Sequence, residues 1–274
     1  MKIVHRVGFN SRKSPDFKFQ VDKMGIKYKA IKLPGGSSLV HFDIAESHPR
    51  WEQVAELIKL RGASDMVRTM FTKKEIERSE WVRVEPFFEV GYPQPREGWL
   101  ASTYENRCPQ CGADYHQKAV FRLKKEPKLG KNDFMCLTRT YEVFCTPRVL
   151  EALEKHKIQG YKIWDAVIHK TSLSSVTVSQ LFIPAVAEPA LIEIDDLRRE
   201  TCTLCHITKY YPHRRGWMHL KRDALIPDAD IMRSAEWFGS GHAAYREILV
   251  SNKLARLILD NGWKGVALKA VKVV

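Results

Sequence analysis

VFCTPRVLEALEKHKIQGYKI, residues 143–163, and ILVSNKLARLILDNGWKGVAL, residues 248–268, align without a gap. Each opens on three apolar residues of strand type. Each then offers a hydroxyl residue, Thr146 or Ser251, at the place of a helix N-cap. The apolar positions that follow recur at helical spacing, with Val149, Ala152 and Leu153 matching Leu254, Leu257 and Ile258. Gly160 and Gly265 close the helices, and Tyr161, Ile163 and Val266, Leu268 begin a further strand. Two amphipathic helices can match by chance. A shared cap, a shared glycine and a shared order of elements together favour an internal duplication.

Working upstream, each copy is preceded by a short strand led by aromatic residues, Val120-Phe121-Arg122-Leu123 or Trp217-Met218-His219-Leu220. Before each strand stands a Cys-x-x-Cys, Cys108-Pro109-Gln110-Cys111 or Cys202-Thr203-Leu204-Cys205. Two tight turns, each bearing two sulfurs, make a closed tetrahedral zinc site with no open position. Gly112 follows the first pair and accepts positive φ; His206 stands in that place in the second and tolerates left-handed backbone better than most residues. The expectation is one structural Zn2+ held by Cys108, Cys111, Cys202 and Cys205. A redox Cys-x-x-Cys would want a strand directly before it and a helix at its second half, which neither flank offers. His206, His213 and His219 are the alternative ligands, and Cys136 and Cys145 read as small core residues.

The fold class that follows is α+β, with two similar α/β halves of strand, strand, helix and strand joined by a zinc-ribbon-like site of four cysteines. An N-terminal α/β region is expected over 1–100, the first repeat over 101–171, a connecting strand and acidic segment over 172–200, and the second repeat over 201–274. Residues 101–274 are expected to form one structural unit. In the N-terminal region Phe17, Phe19 and Val21 alternate like a strand, as do later runs around Pro34-Gly35-Gly36. Trp51, Val54, Leu57 and Ile58 predict a helix, and Thr72-Lys73-Lys74-Glu75 has the spacing of a capping box. Val176–Ile183 reads as a strand by composition.

The 274 residues carry 44% hydrophobic residues, enough for a real core, and a formal charge of +13, which speeds encounters with acidic partners of any kind. No apolar run reaches membrane-spanning length and Met1–Arg6 lacks a signal-peptide pattern, so a cytoplasmic protein is expected. No Gly-x-Ser-x-Gly, Walker loop, dinucleotide loop or His-Glu-x-x-His occurs, which argues against an enzyme.

The chain resembles the double-CxxCG family of bacterial immunity proteins. The resemblance rests on Phe71–Ile76, Tyr92–Pro95, Cys108–Gly112, Cys202–Cys205 and the ending Ile248–Ser251 through Gly262–Val266. It covers roughly residues 70–274 and departs from the family at His206, where a glycine belongs. It implies a protein that binds and neutralises a cognate antibacterial toxin in the cytosol, and the charge then suggests an acidic toxin surface. Tyr210, Tyr211, Arg214, Arg215 and Trp217 are the candidate contacts. The rival reading is a zinc-ribbon protein that binds nucleic acid through the basic 209–222 segment.

Overall fold

The computed structural model describes residues 1–192 and 197–274. Of the acidic stretch Glu193–Glu200, Glu193 to Asp196 lie outside the described residues. The protein is α+β and divides into two compact units, Met1–Thr72 with Arg214–Gly216, and Lys73–His213 with Trp217–Val274. Among the described residues no helix is long and apolar enough to cross a membrane.

The first unit runs β1 (Lys2–Asn10), α1 (Pro15–Lys23), β2 (Lys29–Lys32), β3 (Ser38–Ala45), α2 (Trp51–Arg61) and β4 (Ser64–Met70). Its sheet has the order β2-β3-β1-β4 with every neighbour antiparallel. That is the split βαβ arrangement of ferredoxin-like domains. Segment 15–23 is a helix, not the strand its alternation suggests. Pro15 opens it, Asp16 and Lys23 suit its dipole, and Lys18 bonds Asp22 one turn on at 2.8 Å. Phe17 and Val21, four apart, are fully buried, whereas Phe19 between them is 64% exposed. They pack with Val54 of α2 on Val7, Val40 and Phe42 of the sheet. Each fully buried side chain of this size contributes about 1.5–3 kcal/mol.

The second unit begins with α3 (Lys73–Arg78), as the capping-box spacing predicts, then β5 (Trp81–Pro86), α4 (Trp99–Thr103), β6 (Tyr104–Glu105) and β7 (His116–Gln117). There follow β8 (Arg122–Leu123), β9 (Phe134–Met135), β10 (Val143–Cys145), α5 (Pro147–Lys155), β11 (Lys162–Ile168) and β12 (Ser174–Phe182). The chain continues through β13 (Arg199–Thr201), β14 (Thr208–Tyr210), β15 (Met218–Leu220), β16 (Ile231–Phe238), β17 (Tyr245–Ser251), α6 (Asn252–Asp260) and β18 (Val266–Val273). One sheet has the order β8-β11-β12-β10-β9, another the order β13-β14-β16-β17-β5-β18-β15, and β6 pairs with β7 alone.

β12 lies between β10 and β11, and β5 lies between β17 and β18. The registers run alike: Leu181 faces Val143 and Ile163, as Val84 faces Ile248 and Leu268. β8 pairs with β11 in parallel, as β15 does with β18. Gly160 and Gly265 share φ 103°, and a Cβ there would meet Ile231 O at 2.1 Å and Phe134 O at 2.0 Å respectively. Each glycine thus lets the turn after its helix press on a strand of the other sheet. Asp230 accepts from the Gln159 N–H and Asp133 from the Lys264 N–H, so this contact is made twice. The hydroxyls at the two helix starts differ. Ser251 Oγ accepts from Leu254 N–H, whereas Thr146 Oγ1 is buried with no partner among the described residues.

Besides Asp133, Glu247 and Glu142 lie deep in this unit. Glu247 pairs with Arg83 at 3.0 Å and accepts from Tyr141 Oη at 3.0 Å. Burial pushes the Glu247 carboxyl up, against the pull of Arg83. Glu142 pairs with Arg233 at 2.5 Å and accepts from Gln180 Nε2 at 3.3 Å. Removing one partner of such a pair costs about 3–5 kcal/mol, because the remaining charge is left in a dry interior.

Candidate metal centre

The four sulfurs of Cys108, Cys111, Cys202 and Cys205 lie within 4.8 Å of one another. Cys108 Sγ is 3.8 Å from Cys202 Sγ, and Cys111 Sγ is 3.5 Å from Cys205 Sγ. A tetrahedron with metal–sulfur bonds of about 2.3 Å has edges of about 3.8 Å, so the spacing fits one ion. It does not fit a disulfide, whose sulfurs stand about 2.05 Å apart. Among the described residues this is the one group of three or more His, Cys, Asp or Glu side chains placed to hold a metal, and no histidine belongs to it.

The two turns are built alike. Gly112 N–H donates to Cys108 O and His206 N–H to Cys202 O, at 2.9 and 3.0 Å. Cys108 N–H donates to Ala113 O and Cys202 N–H to Ile207 O, at 2.8 and 3.0 Å. Gly112 and His206 both take positive φ, 79° and 61°. In each turn backbone N–H groups point at sulfur. Those of Cys111 and Gln110 draw the Cys108 thiol down to about 6, and those of Cys205 and Leu204 lower Cys202. Burial pushes Cys111 up to about 12 and raises Cys205. The backbone of each turn thus favours the thiolate form of its first sulfur, the form that binds metal. Gln110 and Thr203 hydrogen-bond across the two turns at 3.0 Å. Ala113 and Trp237 cover the sulfurs.

Lys209 reads in sequence as part of a basic patch, yet it is 1% exposed. Its ammonium donates to Cys111 O at 2.9 Å, Gly241 O at 2.6 Å and Ala243 O at 3.1 Å. It ties the carbonyl of Cys111, in the first cysteine turn, to those of Gly241 and Ala243. Its position on β14, directly after the second turn, is the sequence signal for this role.

Other members of the 209–222 segment are also engaged. His213 is buried, its Nε2 has no partner among the described residues, and burial together with Arg83 draws its pKa down to about 4. Arg222 pairs with Glu80 at 2.5 Å, and Arg215 pairs with Glu46. Of the candidate contact residues, Arg214 and Arg215 are exposed. Tyr210 packs on Phe238 at 5.9 Å, Tyr211 lies 4.4 Å beneath Arg198, and Trp217 lies 5.6 Å from the Lys272 ammonium. Cys136 and Cys145 are buried, and burial pushes both thiols up.

The sequence matches no family model and no curated protein.

Proposed function

We propose that this chain is a non-enzymatic immunity protein that captures a cognate antibacterial toxin in the cytoplasm, with one structural Zn2+ on Cys108, Cys111, Cys202 and Cys205. The observation that carries the reading is the cluster of four thiols at tetrahedral spacing. A tetrahedral all-sulfur set suits zinc, and four protein ligands leave no position for a substrate. The family resemblance supplies the biological role.

Residues 81–171 and 174–274 are, in this reading, two copies of one unit that exchange their first strands, β5 and β12. The matched registers, glycines and cysteine turns support that descent. Zinc binding then depends on both copies being folded, since each supplies one turn.

An inhibitor of this kind must outcompete the toxin's substrate, which calls for nanomolar affinity, about −12 kcal/mol. Arg214 is a better first contact to test than Arg215, which already pairs with Glu46. The experiment is co-expression with the toxin encoded beside this gene, followed by purification of the complex. The expected result is survival and a one-to-one complex whose association is slowed by Arg214→Glu. Protection at far below one molecule per toxin would falsify the binding reading. The nucleic-acid alternative has lost Lys209 and His213 to the interior. It would be restored by RNA or DNA binding that weakens steeply with salt.

A further inference from the structure

The second unit holds a cavity of about 480 Å3, in the range of roughly 300–1,000 Å3 of sites for small organic ligands. Its walls are largely aromatic: Trp99, Tyr104, Tyr115, Tyr141 and Tyr245 all line it. Tyr141 and Tyr245 stack with centroids 4.0 Å apart and planes 15° from parallel. Trp99 and Tyr104 meet at 6.1 Å, edge to face. The charged side chains of the lining are Arg107 and Arg139, and among the described residues no carboxylate lines it.

The arginines are set differently. Arg107 Nη2 donates to His242 O at 2.6 Å, which holds its guanidinium at the wall. Arg139 is exposed and, among the described residues, has no carboxylate partner; its guanidinium lies 6.0 Å from the Tyr92 ring. Arg139 also takes φ 68°, a left-handed conformation that costs a non-glycine residue energy and recurs at ligand clamps. Asn106, next to Arg107, has φ 56°. Flat rings recognise a flat ring, and a guanidinium fork matches the oxygens of a phosphate.

The geometry points to a binding site for a nucleoside monophosphate, with its base among the aromatic walls and its phosphate on Arg107 and Arg139. Such a site adjoins the cysteine cluster through Tyr115 and Ala244 without using its sulfurs, and adds a small-molecule ligand to whatever protein partner the chain has. The test is titration calorimetry of the metal-loaded full chain with AMP, adenosine and inorganic phosphate. AMP is expected to bind saturably at one per chain, with adenosine and phosphate each weaker by on the order of tenfold or more. Arg139→Gln, at an exposed side chain, is expected to weaken AMP by about tenfold and leave the melting temperature unchanged. Ala243→Trp, which fills the cavity, is expected to abolish AMP binding. If that variant does not fold, Arg139→Gln decides alone. No saturable AMP binding up to about 1 mM, the weak end of specific recognition, overturns the proposal. So does phosphate binding as tightly as AMP, or an Arg139→Gln protein that binds AMP like the parent.

Discussion

The turn at Cys108–Gly112 and the turn at Cys202–His206 share their backbone hydrogen bonds, their amide-to-sulfur contacts and a left-handed fifth residue, yet that residue is glycine in one and histidine in the other. The difference comes from what surrounds them. A Cβ at Gly112 would stand 2.2 Å from His242 O and 2.7 Å from Arg107 Nη2, and the His242 carbonyl is backbone that cannot step aside. His206 is exposed. The dihedral alone admits histidine at a modest cost, whereas a neighbouring carbonyl does not. Glycine is demanded here by crowding more than by conformation.

The largest expected effect treats the turns as equal. Cys108→Ser and Cys202→Ser should each lose the metal and each destabilise the protein by more than about 4 kcal/mol, because metal binding is coupled to folding. Metal analysis and denaturant melts check this. A variant that keeps the metal, or two variants several kcal/mol apart, would break the equivalence.

Lys209 separates the turns, since its ammonium holds the carbonyl of Cys111, and its other partners among the described residues, Gly241, Ala243 and Glu200, lie outside the second turn. Lys209→Met should cost roughly 2–4 kcal/mol by leaving buried carbonyls without a donor. The same substitution should weaken metal retention against a chelator.

Smaller still is the contrast at the fifth residue. Gly112→Ala should destabilise by about 2 kcal/mol through the clash at His242, while His206→Gly should stay within about 1 kcal/mol of the parent. Equal melting temperatures for the two variants would show that the crowding at Gly112 relaxes without cost.

Much of the candidate site was legible in the sequence because it is local. Cys-x-x-Cys spacing places two sulfurs on one turn, and the helices at 147–155 and 252–260 announce themselves by period and cap position. The helix at 15–23 was hidden because Phe17, Phe19 and Val21 satisfy a period of two as well as Phe17 and Val21 satisfy a period near four. Ser14-Pro15 was the better guide. Lys209 and His213 misled for another reason: their charge class is read from the residue, but their burial is decided by distant chain, Gly241 and Ala243 for the first and Arg83 beside the second. Nor does any local pattern say that β5 pairs with β17 and β18 while β12 sits between β10 and β11.

That placement of β5 has a consequence for synthesis. Val84 finds its partner at Ile248, so at about 5–20 residues per second the strand waits roughly 8–30 s beyond its own emergence before its neighbour exists. A waiting strand of Trp81, Val82 and Val84 is an invitation to pair with a neighbouring nascent chain. Arg83 and Glu85 interrupt it with charge during that interval, as gatekeepers do. Only when Glu247 arrives does the guanidinium of Arg83 leave water for its ion pair, and the residue that kept the strand solitary becomes part of its seal.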